Sequence, residues 1–440
     1  MSTPAGDKRM TVTQATFIGV GSMVGAGIFA LLGAAGAVAG SAVWLSFLIA
    51  GAIAGLQGYS FAKLGSVYPS GGGLLHYLAK GLGEGHVTGI TSWLFYVTAA
   101  IVTAMVASSF GGYASSVLTD SDPTWTKVFA IAIVLVMAAL NVVGSTAVAK
   151  VQSLIVKVVL TILTVFVIST LTNFDPALLA PSGYPGLREI IASVALTFFA
   201  FLGFGVITFT AKDLPNPSKQ LPTAMYLALG IATTVYVGVS LGVFGTLTAD
   251  QVVDYGPTAL AEAAKPTLGQ FGYVLMVITA LFSTAGATNS GLYPSAGMTR
   301  HLASVGQFPP ALGGTVGRRK APVGLLLLTS FTLVFIVLFD LNKIASIGSA
   351  VALLVFTMVT LGHFRLRGET GANVVVLTVA LVSTLGTFLV FAGTTLADEP
   401  ATAVALVAIV VLATATDLVW KRRRDDPAPL GSTRDSGSRS

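Results

Sequence analysis

The sequence predicts an all-α integral membrane protein of twelve transmembrane helices. Of its 440 residues, 54% are hydrophobic and only 10% are charged, against about 25% charged in an ordinary soluble chain. Mean hydropathy is +0.84. Apolar runs of roughly 20 residues, the length that crosses a bilayer core, recur along the whole chain, and charges are confined to short segments between them. A soluble chain of this length would need polar surface for two or three domains, and this one has none to spare.

Taken in order, the expected spans are 14–39, 43–62, 88–118, 127–147, 150–171, 190–211, 223–248, 268–298, 322–339, 343–363, 372–396 and 401–420. Lys8 and Arg9 precede the first apolar run as in a signal peptide. That run is longer than a signal core and lacks a clear small-residue cleavage site, so it reads as a retained span. An even number of spans puts both termini on one side. Of 24 Lys and Arg residues, only Lys127, Arg188, Lys265 and Lys343 fall on the other side, with Lys157 inside a span. The remaining 19 mark the cytoplasmic face. The expected parts are a cytoplasmic N-terminus (1–13), helices over 14–171, 190–363 and 372–420, and a Ser-, Pro- and Gly-rich disordered tail (421–440). Its Lys421–Arg424 run reads as a stop-transfer anchor or as a contact for anionic lipid.

The composition excludes several chemistries. With no cysteine there is no disulfide, thiolate nucleophile or thiolate metal site. The four histidines, His76, His86, His301 and His363, lie near span ends without clustering, so neither a metal nor a cofactor is expected. The net charge of +6 follows topology and forms no basic stripe with aromatic platforms, so nucleic acid is not a partner. Gly25-Ala-Gly27-Ile-Phe-Ala30 fits a dinucleotide fingerprint but has no strand before it, and Gly238-Val-Ser240-Leu-Gly242 fits a nucleophile elbow but lies in an apolar helix.

The first span carries four glycines between Gly19 and Gly27. Each costs about 1 kcal/mol against Ala inside a helix, so the segment is expected to unwind beside a cavity, where free N–H groups could bind an anion. Close helix packing through Gly21-xxx-Gly25 is the alternative. The sixth span repeats the feature at Phe198-Phe-Ala-Phe-Leu-Gly-Phe-Gly205. Paired breaks at corresponding positions point to an inverted repeat with a midplane site. Opposed half-helix ends would favour a carboxylate and an ammonium group, which a zwitterionic amino acid supplies together. Lys157, inside the fifth span, is a candidate proton carrier, with snorkelling to the interface as the alternative.

These residues resemble the amino acid–polyamine–organocation superfamily of secondary transporters over roughly the first 320 positions. The likeness rests on Gly21-Ser-Met-Val-Gly-Ala-Gly-Ile-Phe29, Pro69-Ser-Gly-Gly-Gly73, Val151-Gln152 followed by Lys157, and Phe198 to Gly203 leading through Asn216-Pro217 to Leu221-Pro222. The resemblance implies the leucine-transporter-type fold, with two inverted five-helix repeats and two additional C-terminal helices. It implies that amides around Ser22, Gly25, Ala26 and Gly27 hold a substrate carboxylate, while carbonyls near Gly19, Val20, Met23, Phe198, Phe199 and Leu202 take the amino group. Phe199 would stand at the aromatic substrate lid. Lys157 would replace a sodium ion, implying proton coupling.

Gly205 departs from the pattern, since many members have Asp or Glu there. Without that acid a cationic side chain has no partner, so a neutral substrate is expected. The resulting expectation is a permease of the plasma membrane that brings a small neutral amino acid inward with a proton by alternating access. An exchanger or facilitator of amines or other small solutes is the runner-up, and a membrane solute sensor or channel comes after it. An enzyme is not expected.

Overall fold

Helices form wherever the chain is apolar, because a bilayer offers backbone groups no partner but the chain itself. The computed structural model describes residues 10–70, 72–143 and 146–425. The ends expected as cytoplasmic, 1–9 and 426–440, lie outside the described residues, as do the side chains of Ala26, of 146–153 and of Asp425.

The chain runs through α1 (Val12–Ala26), α2 (Ile28–Ala39), α3 (Val43–Val67), α4 (Gly73–Leu82), α5 (His86–Leu118), α6 (Pro123–Val143), α7 (Thr146–Thr170) and α8 (Leu187–Phe199). A 3-10 segment, Leu202–Asp213, leads to α9 (Pro217–Phe244), then α10 (Ala249–Tyr255), α11 (Ala259–Glu262), α12 (Lys265–Leu292) and α13 (Ser295–Ser304). A two-residue antiparallel pair, Thr315–Val316 with Ala321–Pro322, is an exception to the all-α expectation. It precedes α14 (Val323–Leu338), α15 (Leu341–Thr370), α16 (Val374–Gly393), α17 (Thr395–Asp398) and α18 (Pro400–Asp425).

Local chemistry sets several ends. Thr11 and Gln14 form a capping box at the start of α1. The Asp340 carboxylate accepts from the Lys343 amide at 2.9 Å to begin α15, and Gly371, at φ +60°, ends it. Among the described residues, ten helical stretches are long and apolar enough to cross a membrane. The shorter Val323–Leu338 is a further apolar helix, and one stretch, Ile28–Val67, turns at Gly40. Helix α15 runs past the expected boundary at 363, because hydropathy sees only its apolar part while exposed Arg365 and Arg367 continue the helix. The last helix likewise continues to Asp425, so residues 421–425, expected as tail, are helical.

Helix α5 packs against α6, α12, α14 and α15, while α3 lies along α9. Helix α1 is enclosed by α9, α12 and the 3-10 segment. Exposed Leu154, Ile168, Phe271, Leu338 and Val404 give the outer surface an apolar character suited to lipid. Inside, many hydroxyls bond their own helix backbone, as Thr98 does to Leu94 and Thr284 to Ala280, which pairs those donors within the core.

Candidate substrate site

The first break is narrower than the glycine density suggests. Helix α1 stays regular through Ala26, and the interruption is confined to Gly27, at φ −86° and ψ −73°. Its amide still donates to the Met23 carbonyl at 2.7 Å. Gly19 and Gly25 serve close approach, and for Gly25 that is what the packing alternative expects. A Cβ on Gly19 would stand 2.4 Å from Ile207 Cδ1, and one on Gly25 would stand 2.5 Å from the Ser283 carbonyl oxygen. Tight contact with α12 and the 3-10 segment offsets the conformational cost of these residues.

The second break changes the hydrogen-bond pattern itself. Helix α8 ends at Phe199, and amides then reach only three residues back: Ala200 to Thr197 (3.1 Å), Phe201 to Phe198 (3.0 Å) and Phe204 to Phe201 (3.0 Å). The 3-10 segment that follows has 12 residues, several times the usual length of such helices.

The two breaks cross. A Cβ on Gly203 would lie 2.6 Å from the Ser22 carbonyl carbon and from the Met23 amide nitrogen, so the second backbone rests directly on the first. On the other side of the crossing, a Cβ on Gly27 would lie 2.8 Å from Ala200 Cβ and 2.3 Å from the Tyr236 hydroxyl. That hydroxyl donates to the Ala200 carbonyl at 3.1 Å. Of the residues singled out in the sequence, the crossing brings Gly19, Ser22, Met23 and Gly27 against the second break; Gly19, Val20, Met23, Gly25, Gly27, Phe198, Phe199 and Gly205 are buried, and Ser22 and Leu202 are half-buried.

Three details bear on chemistry. The Ser22 hydroxyl has no hydrogen-bond partner among the described residues. Gly205, though buried, faces open space, since a Cβ there would meet nothing within 4 Å. The Phe199 ring fills the gap between α8, α5 and α15, 2.3 Å from where a Gly348 Cβ would be and 2.7 Å from that point lies Ile101 Cγ2. Phe198 points elsewhere, into an aromatic group with Phe356 at 5.5 Å between ring centroids. No Asp or Glu occurs in α1, α2 or the first eleven residues of the 3-10 segment.

Lys157 lies apart from the crossing. It is exposed, and its ammonium stands 5.4 Å from the centroid of the Phe17 ring on α1. The buried face of α7 is Val156, Val159, Leu163 and Phe166. Beside it a cavity of about 10 Å³, room for roughly one water, is lined by Gly21, Val24, Ile155, Val156, Val159 and Ser283. Among the described residues no group of three or more His, Cys, Asp or Glu could hold a metal ion.

Sequence reasoning missed Tyr236, Ser283 and Gly348. Tyr236 had a signal, a phenol in the middle of an apolar span that must find a partner. A glycine such as Gly348 in a helix carries no such mark.

Irregular backbone at membrane depth persists where it lines a solute path, and two helices crossing at their breaks, inside a lipid-facing bundle, define a membrane transporter. The chain belongs to the amino acid permease family, within the amino acid–polyamine–organocation superfamily, with the family profile matching residues 10–416. It is 32% identical to the inner membrane transport protein YbaT of Escherichia coli, over 88% of this chain and 90% of that one. It is 34% identical to an uncharacterized protein of Methanocaldococcus jannaschii, over 87% and 88%. It is also 29% identical to the vacuolar cationic amino acid transporter 2 of Arabidopsis thaliana, over 82% of this chain and 60% of that protein.

Proposed function

We propose that the protein is a secondary active transporter that carries a small neutral amino acid across the plasma membrane with a proton. It works by alternating access, on two inverted five-helix repeats followed by two additional helices, twelve in all, with both ends cytoplasmic. The observation that carries this reading is the crossing of the two breaks, with the unpartnered Ser22 hydroxyl at the contact and open space at Gly205.

At that crossing the amides of Ser22, Gly25, Ala26 and Gly27 take the substrate carboxylate once the last turn of α1 opens and frees them from their helix bonds, of which Gly27 to Met23 is one. Carbonyls near Gly19, Val20, Met23, Phe198, Phe199 and Leu202 take its ammonium group. The side chain occupies the space beside Gly205 under the Phe199 ring. A cationic side chain would be buried there without a counter-charge, which costs several kcal/mol, so the substrate is neutral. The name of the Arabidopsis relative describes that protein; here the positions that would balance a positive side chain are apolar. Lys157 carries the coupling proton. Its flexible stem reaches from Phe17 toward the water-sized cavity when α1 and α7 shift during the cycle.

Competition binding tests the zwitterion reading. Each lost charge-assisted hydrogen bond removes about 1.5–3 kcal/mol, or roughly ten- to a hundredfold in affinity. A neutral amino acid is therefore expected to outcompete both its decarboxylated amine and its N-acetyl form by at least about tenfold. Equal competition by the amine would remove the carboxylate from the account.

A further inference from the structure

We propose that His76 and His301 form a latch that seals the path from Gly205 toward the basic face while both imidazoles are neutral, and that opens when the pair takes up a proton. The proposal rests on the reading of the two breaks as the substrate site, and names how that site is closed on the side read as cytoplasmic.

The connection runs through a few atoms. The Gly205 carbonyl accepts from the Thr208 hydroxyl at 2.6 Å, and that hydroxyl accepts from the Leu74 amide in the first turn of α4 at 3.2 Å. Gly73 has φ +51°, and a Cβ there would stand 2.6 Å from Thr208 Oγ1 and 3.0 Å from the Phe209 ring. A Cβ on Gly72 would stand 2.6 Å from His301 Nε2. The start of α4 is therefore wedged between the 3-10 segment and α13, and only glycine fits on either side. One turn further on, the His76 ring lies 5.7 Å from that of His301, at an interplanar angle of 62°. This gives the Pro69-Ser-Gly-Gly-Gly73 motif a physical role.

The packing suits neutral rings. His301 Nε2 is buried and has no hydrogen-bond partner. A protonated imidazole donates from both nitrogens, so an added proton would leave a charged donor facing the Gly72 backbone without an acceptor. Relief requires water at the buried His301 Nε2, and room for it opens when α4 moves away from α13. A second proton adds repulsion between the rings. Burial, and after it the nearby Lys80 ammonium, hold His76 below the usual histidine value. The neutral contact is thus present above pH 6.5 and is lost as pH falls through that lowered value.

Other ionisable groups on the packed elements are engaged or exposed. Lys80 lies over the Tyr68 ring, and Tyr68 holds Glu369 at the end of α15. Tyr77 lies edge-on to His76, and its own hydroxyl is buried without a partner. Lys63 on α3 lies over Tyr59, His363 bonds Ser60 and Thr370, and Arg300 bonds the Ala296 carbonyl. His86 on α5 pairs with Asp417. Lys212, Asp213, Arg365 and Arg367 are exposed, and α14 carries no ionisable side chain.

The cysteine-free chain allows a test that needs no substrate. Gly205→Cys introduces a sole thiol where a side chain meets nothing within 4 Å. In liposomes, its reaction with a membrane-impermeant cationic methanethiosulfonate applied to the basic face is followed from about pH 8 to about pH 5.5. Dividing by the rate at the exposed control Thr315→Cys removes the thiol's own titration. The ratio is expected to rise about tenfold on acidification, and to stay flat when His76→Gln and His301→Gln are added. An unchanged rise in the double Gln variant, or a flat ratio with both histidines present, would overturn the latch. Unaltered melting and elution establish the fold of the double variant; if it does not fold, His76→Gln alone must reduce the rise, and an undiminished rise counts against the proposal. Failure of the substrate-site reading shows separately, as an inability of L-alanine to protect the Gly205→Cys thiol at constant pH.

Discussion

The Tyr236 hydroxyl stands 2.3 Å from where a Gly27 Cβ would be, and it donates to the Ala200 carbonyl at 3.1 Å. One phenol on α9 thus touches the kink between α1 and α2 and the turn that ends α8. Gly27→Ala overpacks that contact, which costs about 1–3 kcal/mol. A lowered melting temperature and a large loss of uptake are expected. Tyr236→Phe removes only the hydrogen bond, about 1 kcal/mol, and should relieve the Gly27→Ala defect in part because it vacates the clashing oxygen. Strictly additive melting shifts would show that the two residues do not meet.

At Gly205 a Cβ would meet nothing within 4 Å, so Gly205→Glu introduces a carboxylate from a position that accepts a side chain. Gly205→Glu is expected to cut transport of a neutral amino acid by at least about tenfold while raising arginine uptake relative to it, since a buried counter-charge becomes available. An unchanged preference would mean that the substrate side chain lies elsewhere.

For Lys157, replacement by Ala removes the ammonium group without disturbing the buried face of α7, because the side chain is exposed beside Phe17. Lys157→Ala should abolish proton-driven accumulation and leave exchange partly intact. Full concentrative uptake by this variant would end its coupling role.

Asp417 is fully buried on α18, with His86 Nδ1 at 2.6 Å and Lys421 Nζ at 3.2 Å. Removing one member of a buried pair strands the other and costs about 3–5 kcal/mol, whereas removing both costs far less. Asp417→Asn should therefore lower the melting temperature more than Asp417→Asn combined with Lys421→Met, as read by thermal unfolding in detergent.

Asp340, outside the spans, shows a pH signature. Burial pulls its carboxyl upward, but the amide and ammonium of Lys343 together outweigh burial and hold it below the ordinary value of 3.8. Its contribution is present above that value and is lost as pH falls through the lowered one. Asp340→Asn keeps the helix cap and loses the charge, so its small melting deficit at neutral pH should vanish on acidification. A deficit unaffected by acidification through the lowered value would place the effect in the cap alone.

Much of this organisation was legible because lipid forces each crossing to be apolar and helical. Spans such as 88–118 fall close to His86–Leu118, where hydropathy has sharp edges. The glycines and phenylalanines of the two breaks marked where backbone would be irregular. They could not show that α1 stays helical to Ala26, since glycine serves close packing and unwinding alike. The exposed placement of Lys157 was legible in another way: Lys150, Ser153, Lys157, Thr161 and Thr164 recur at helical spacing, a polar stripe that marks the exposed face of α7 and that hydropathy averaging hides. Asp417 was hidden for a related reason, as a carboxylate near a span end looks interfacial until α18 is seen against α5.

The most direct measurement is uptake of radiolabelled amino acids and amines into proteoliposomes, with and without an inward proton gradient. Accumulation of a neutral amino acid above equilibrium, only with the gradient, is the expected result. Gradient-independent equilibration, or transport of amines in preference to amino acids, would contradict it.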